Sequence, residues 1–368
     1  MKLTIAVLPG DGIGPEVMNQ AIKVLDAIQT VFLHEITYKY AAIGADAIVQ
    51  TGSPLPRMTV DTCLKADAVL LGAVGDPAHD HATVRPEQGL LSLRKKLKLF
   101  ANIRPVKAYD ELQHLSALKV DRIKNVDVLI YRELSSGIYF GQQTRDEHSA
   151  ADVCYYNKAE IERISHLAFQ AARLRNKRLT LVDKANVLET SRLWREVVKD
   201  IHNEYLDVEL NFMYVDNAAM QVIQAPSQFD VLLTSNMFGD IISDAASVLT
   251  GTLGMLPSAS IGETCPLYEP VHGSYPTAAK KDIANPIAMI LSAAMLLEHF
   301  GLIAESKTIY EAVNQVIGQQ LGTEDMSPQV LLSCSELGNL IAALILDHKT
   351  EINPFNKENI AQSLGTII

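Results

Sequence analysis

Short apolar runs alternate with amphipathic helical periods along nearly the whole chain. The runs 3-LTIAVL-8, 68-AVLLGAV-74, 101-ANIRPV-106, 126-VDVLIYRE-133, 179-LTLVD-183, 208-VELNFMYV-215 and 230-DVLLTS-235 predict strands. Helical patterns follow most of them, an order that predicts an α/β fold with mainly parallel pairing. One such helix is expected over 158-KAEIERISHLAFQAARL-174, with Asn157 placed to cap its start. The stretch 134-LSSGIYFGQQTRDEHSAADVCYYN-157 instead alternates and is rich in Gly and Tyr, which predicts an inserted antiparallel hairpin of the kind that serves as a dimer arm. No repeat, low-complexity segment or linker divides the chain.

Composition narrows the function classes. A chain of 368 residues can hold two domains and bury a sizeable core. With 48% hydrophobic and 20% charged residues it is not a disordered chain. A net charge of −11 disfavours nucleic-acid binding, and the densest basic cluster, 94-RKKLK-98, falls within a helical pattern. Cys63, Cys154, Cys265 and Cys334 are scattered, without metal spacing or a disulfide framework, as expected of a reducing compartment. The apolar stretch 283-IANPIAMILSAAMLL-297 is too short to span a bilayer and contains Pro286. With a strand expected at once after Met1, no leader is seen, no membrane role is expected, and the cytoplasm is the default.

The turn 9-PGDGIGPEV-17 lies between a predicted strand and a predicted helix, where a dinucleotide cradle would sit. Gly10 and Gly12 fit G-x-G-x-x-G, but Pro15 stands at the third glycine and no acidic residue closes a following strand. A tight turn with proline at the start of a helix is the better reading.

Polar residues collect at three predicted strand ends: Lys184 after 179–183, Asp216 after 208–215, and Asn236 with Asp240 after 230–235. Ligands of open α/β sheets sit beyond such carboxyl ends. In 237-MFGDIISDAASVLTGTLGML-256, Asp240 and Asp244 are four apart and share a helix face. Such a pair is ordinary on a solvated surface. This segment carries no other charge, however, and reads as largely buried, so unpaired carboxylates would be costly unless a hard divalent cation, Mg²⁺ or Mn²⁺, were bound. Asp216 is available as a third carboxylate. Arg104 and Arg132 lie in apolar surroundings and Arg94 in 89-GLLSLRKKL-97, four residues from Leu90; the three are either structural ion-pair partners or a pocket for a substrate with more than one carboxylate, with Leu90 and Leu91 as an apolar wall. Tyr139 and Lys184 are candidate proton-transfer groups, and each alone reads equally as a structural residue.

Together these residues resemble the isocitrate/isopropylmalate dehydrogenase family of metal-dependent decarboxylating dehydrogenases. The match runs nearly end to end, through 8-LPGDGIGPEV-17, 89-GLLSLRKKLKLFANIRPVK-107, 131-YRELSSGIYFGQ-142, 182-VDKANVLETSRLWREV-197, 214-YVDNAAMQ-221, 235-SNMFGDIISDAASVLTGTLGMLPSAS-260, 269-EPVHGS-274 and 283-IANP-286. The leucine-rich 90-LLSLRKKL-97 is similar to the isopropylmalate branch. The resemblance implies a two-domain fold with a mixed sheet that is not a Rossmann fold. Residues 1–100 plus 253–368 would form a cofactor-binding domain, and residues 101–252 a substrate, metal and dimerisation domain. It implies NAD-dependent oxidative decarboxylation of 3-isopropylmalate to 4-methyl-2-oxopentanoate, a step of leucine biosynthesis. Tartrate, malate or homoisocitrate would be the alternative substrates.

Residue by residue, the resemblance implies that Arg94, Arg104 and Arg132 bind substrate carboxylates, and that Leu90 and Leu91 receive the isopropyl group. Asp216, Asp240 and Asp244 would hold the cation, with Asp216 also near the substrate, while Tyr139 and Lys184 would handle protons. Glu87 and the turn at Ile13 would lie near the nicotinamide. His272, Gly273, Ser274, Tyr275, Pro276, Thr277, Ala278, Asn285 and Asp325 would hold the rest of the dinucleotide. Lysine and the first aspartate would come from a second subunit, which implies a homodimer with shared active sites. One departure stands out: Thr277 occupies the position of the usual ribose-binding aspartate, with Lys280 and Lys281 close by. The charge that rejects a 2′-phosphate is therefore missing. Ser135, where the family usually has threonine, is a milder change.

Overall fold

The computed structural model describes residues 1–347; the part of the expected cofactor-binding domain at 348–368 lies outside the described residues. The strands that frame the fold are β1 (Lys2–Gly10), β2 (Glu35–Tyr40), β3 (Ala68–Ala73), β4 (Leu99–Lys107), β5 (Asp127–Glu133) and the short β6 (Gln143–Arg145). They continue with β7 (Ala150–Asp152), β8 (Arg178–Asp183), β9 (Glu209–Tyr214), β10 (Val231–Thr234), β11 (Pro257–Gly262) and β12 (Leu267–Pro270). The described residues pack as two compact units, one from residues 1–99 together with 252–347, the other from residues 100–251.

In the first unit the strand order is β2-β1-β3-β12-β11, parallel except for the antiparallel β11–β12 pair. All six residues of β3, AVLLGA, are buried, as a parallel strand covered on both faces requires. Helix Gly14–Phe32 buries Val17, Met18, Ala21, Val24, Leu25 and Ile28, a helical stripe three to four residues apart. Its Pro15 sits in the first turn, where a missing N–H costs nothing. Helix Ile287–His299 is buried from Ile287 to Leu297, so the long apolar stretch is a core helix of this unit. Among the described residues no helix is long and apolar enough to cross a membrane.

In the second unit the order is β4-β5-β10-β8-β9. Strands β5, β10, β8 and β9 run parallel, and β4 runs antiparallel to β5. The architecture is thus α/β with mixed pairing. Residues 143–152 form the expected antiparallel hairpin, β6 with β7, and every residue of both strands is exposed. Asn157 does cap helix Lys158–Leu174: its side chain accepts from the Glu160 amide at 3.1 Å, while Glu160 accepts from the Asn157 amide at 2.9 Å.

Candidate active site

The parallel register of the second unit sets its carboxyl edge. Thr234 of β10 pairs with Arg132 of β5 and with Val182 of β8, and Asp183 of β8 pairs with Tyr214 of β9. Helix Asn236–Ala246 leaves β10 at that edge and carries Asp240 and Asp244 one turn apart. Arg132, only 4% exposed, donates from Nε and Nη2 to Asn236 Oδ1 at 3.2 and 3.0 Å, and its Nη1 pairs with Asp240. Arg104, on β4, donates to Asn102 Oδ1 at 2.8 Å, Ser243 Oγ at 2.6 Å and Asp244 Oδ1 at 3.2 Å. Tyr139 Oη donates to Asp240 Oδ2 at 2.9 Å. Partial burial, and then the carboxylate it faces, raise the tyrosine pKa above its ordinary value. Two arginines, two carboxylates and a phenol therefore converge here.

The carboxylates themselves correct the sequence reading. Asp240 is 35% exposed and Asp244 69%, and arginines answer both. Neither carboxylate is therefore a buried, unpaired charge: the segment buries its apolar face and turns its aspartates to the accessible one. Asp216 does not join them. Its carboxylate accepts from Lys184 Nζ at 2.6 Å, and that hydrogen bond holds its pKa below the usual carboxylate range. Among the described residues no three acidic, histidine or cysteine side chains of this chain gather closely enough to hold a metal ion. The two oxygen-bearing aspartates nevertheless suit a hard cation, provided a further ligand is supplied from elsewhere.

In the first unit, helix Pro86–Lys96 carries Glu87, Leu90, Leu91 and Arg94 within two turns. Leu90 is half-buried against the core around Leu71, Leu93 and Leu97, whereas Leu91 and Glu87 are exposed. Arg94 Nη2 donates to Glu269 at 2.7 Å, so this arginine is held by a carboxylate of β12.

The turn between β1 and the first helix brings Ile13 against the loop at 272–278: the Ile13 amide donates to the Ser274 carbonyl at 2.8 Å. Gly12 is obligatory, since it has φ +58° and a Cβ there would meet that carbonyl at 1.9 Å. Beside this loop lies a cavity of about 600 Å³, lined by Ile13, Thr252, His272, Tyr275, Asn285 and Asp325 among others. Asp325 is fixed by Thr252 Oγ1 at 2.5 Å, Thr323 Oγ1 at 2.6 Å and Asn285 Nδ2 at 3.0 Å. Burial lowers the His272 pKa, which favours the neutral ring. Its Nδ1 faces the Gly273 carbonyl at 2.9 Å and so carries the proton. Nε2 remains a buried acceptor with no partner among the described residues. An apolar cavity edged by a carboxylate, an amide and an orphaned imidazole acceptor fits the adenosine part of a dinucleotide. Ser274 and Ala278 are buried in the same loop, while Gly273, Tyr275, Pro276 and Thr277 are exposed.

The isocitrate/isopropylmalate dehydrogenase model matches residues 4–341. The chain belongs to the isocitrate/isopropylmalate dehydrogenase family. Among relatives within this family, the 3-isopropylmalate dehydrogenase of Geobacillus kaustophilus is 53% identical over 94% of the chain and 96% of that protein. That of Bacillus subtilis is 51% identical over 96% of the chain and 100% of that protein. Among solved structures, isocitrate dehydrogenase from Methylococcus capsulatus superposes with a TM-score of 0.84 at 34% identity, covering 94% of this chain and 99% of that one. A β-decarboxylating dehydrogenase from Thermococcus kodakarensis gives 0.81 at 34% identity, covering 97% and 100%. The fold is thus that of the isocitrate/isopropylmalate dehydrogenases, as the sequence led one to expect.

Several residues that hold these groups in place escaped the sequence reading. Asp11 accepts from the amides of Ala45 (3.0 Å), Asp46 (3.1 Å) and Gly75 (2.9 Å), tying the glycine-rich turn to two other segments. Asn102, Ser243 and Glu269 were likewise missed, although each is the immediate partner of a predicted arginine. For Asn102 and Glu269 the available signal was a polar residue isolated in an otherwise apolar, buried strand.

Proposed function

We propose that the chain catalyses the NAD-dependent oxidative decarboxylation of 3-isopropylmalate to 4-methyl-2-oxopentanoate, a step of leucine biosynthesis in the cytoplasm. The observation that carries this reading is the convergence of Arg104, Arg132 and Tyr139 on Asp240 and Asp244 at one sheet edge. It is supported by relatives of that name at about half identity over nearly the full length. The first unit serves the dinucleotide, and the second serves the substrate, the metal and dimerisation. Arg94, Arg104 and Arg132 grip the two carboxylates, a task for forked guanidinium donors. Leu90 and Leu91 receive the isopropyl group. Asp240 and Asp244 hold Mg²⁺ or Mn²⁺ with Asp216 of a second copy, and the Lys184–Asp216 pairing supports such a shared site. Ile13, Glu87, Asn285, Asp325 and the 272–278 loop bind NAD.

Held there, a divalent cation would supply polarisation of the C2 hydroxyl and charge stabilisation, and NAD⁺ would supply the hydride acceptor. Lys184 of the second copy, as the neutral amine, takes the hydroxyl proton. The C2 ketone lies β to the carboxylate on C3, so that carboxylate departs as CO₂ with its bonding pair left on C3. Tyr139 returns a proton to C3, and its raised pKa keeps the phenol protonated until then. The deciding experiment follows reduced cofactor with 3-isopropylmalate and Mg²⁺, using NAD⁺ and NADP⁺ side by side. Turnover with NAD⁺ is expected. Turnover only with tartrate, malate or homoisocitrate would reassign the substrate, and preference for NADP⁺ would reassign the cofactor.

A further inference from the structure

Arg132 does not hold its own geometry. Its guanidinium is almost wholly buried, and two of its nitrogens, Nε and Nη2, donate to one atom, Asn236 Oδ1. Asn236 is itself 1% exposed. Its Nδ2 donates to the Ser136 carbonyl at 3.0 Å, which settles the orientation of the amide: the oxygen must face the arginine. Its backbone amide donates to Tyr156 Oη at 2.9 Å, fixing the start of the helix. The aliphatic stem of the arginine is clamped as well, since a Cβ on Gly239 would lie 2.6 Å from Arg132 Cγ.

Charge explains why the clamp is an amide. A carboxylate at this position would match the guanidinium but cancel the positive charge that a substrate carboxylate needs. Its second oxygen would also confront the Ser136 carbonyl without a proton between them. A neutral acceptor orients the fork and leaves its charge available. Asp240 pairs with Nη1, and a cation can draw it away while Asn236 still holds the arginine.

We infer that Asn236 is a positioning residue for substrate recognition, acting through Arg132 to set where and how strongly a substrate carboxylate is gripped. This rests on the dicarboxylate-dehydrogenase reading above. The test compares the KM for 3-isopropylmalate with the KM for NAD⁺, at saturating Mg²⁺, in wild type, N236A, N236D and Y156F. N236A, which loses a charge-assisted hydrogen bond, and the isosteric N236D, which cancels the guanidinium charge, should each raise the substrate KM about tenfold or more. Their NAD⁺ KM should stay within about twofold. Y156F removes a buried partner of the Asn236 backbone but spares its side chain, so it should lower Tm while leaving the substrate KM within about twofold.

An unchanged substrate KM in N236A and N236D would overturn the inference. So would an equal rise in both KM values, or a Y156F variant that reproduces the N236A effect, because each indicates general loosening. If N236A does not fold, N236D carries the same criteria. Wild-type enzyme that turns over a different dicarboxylate would overturn the substrate reading alone, and the same KM comparison then applies to that dicarboxylate.

Discussion

The arginine–aspartate edge of the second unit and the cavity beside the 272–278 loop of the first are built in opposite ways. At the edge, charged side chains on regular elements hold one another: Arg132 on β5 and Arg104 on β4 reach Asp240 and Asp244 on a helix. Beside the loop, the main chain does the holding, through the close approach of Gly12 to Ser274 and the left-handed Tyr275 at φ +39°. The polar groups lining that cavity are mostly neutral or tied down, with Asp325 bound by three donors. A charge-built site is sensitive to single side-chain chemistry; a backbone-built site is sensitive to single Cβ atoms.

The sharpest way to break this contrast is Asp240→Asn. Removing a carboxylate that faces two arginines and a tyrosine should lower kcat/KM for the substrate by about a thousandfold or more while NAD binding survives. Steady-state kinetics over a Mg²⁺ titration, with Tm as the folding check, decides it; retained turnover at low Mg²⁺ would remove Asp240 from the metal site. Next in size is a carboxylate with no cationic partner in the pattern described. Glu298 is half-buried, with Ser306 Oγ 2.9 Å from Oε1, and Oε2 is buried and unpartnered among the described residues. Burial pushes its pKa from 4.5 to about 7. The folded state therefore favours the protonated acid: this stability is present below pH 4.5 and is lost as pH rises through about 7. Glu298→Gln should abolish a pH-dependent loss on the order of 3 kcal/mol, read from denaturant unfolding at acid and neutral pH. Identical pH slopes for the two proteins would count against it.

Gly12→Ala tests the backbone-built side. A φ of +58° and a clash with the Ser274 carbonyl should cost roughly 1–3 kcal/mol and weaken NAD more than substrate. Calorimetric titration of each ligand distinguishes that outcome from a uniform loss. The smallest effect is expected for Thr277→Asp, at the exposed tip of the same loop. It should raise the NAD-to-NADP ratio of kcat/KM by about tenfold through repulsion of the 2′-phosphate; an unchanged ratio would take Thr277 off the ribose.

What was legible in the sequence follows the same division. Strands whose apolar residues form a run, such as β3 and β8, announced themselves, as did the i, i+4 aspartates and the strand-end lysine. Strand β2 did not, because only Ile36 of EITYKY is buried. Nor did β11, PSASIG, whose small residues are buried without being distinctly hydrophobic and whose place is set by pairing with β12. The misjudged burial of Asp240 and Asp244 has a similar origin. Periodicity reports which residues share a face, but cannot see arginines arriving from β4 and β5, far away in the chain. The role of Asp11 was hidden because its partners are backbone amides, which leave no mark on residue identity.

Lys184 keeps company with Asp216, while Tyr139 keeps company with Asp240. In a dimer that shares its sites, this division has a genetic corollary. Lys184→Ala and Asp240→Asn chains, each inert alone, would when co-assembled yield one centre carrying both lesions and one carrying neither. Mixed dimers should regain about half the specific activity of wild type, measured after co-expression with two affinity tags. A leucine auxotroph bearing both alleles would then grow where neither allele suffices, so that two broken copies of one gene make a working enzyme.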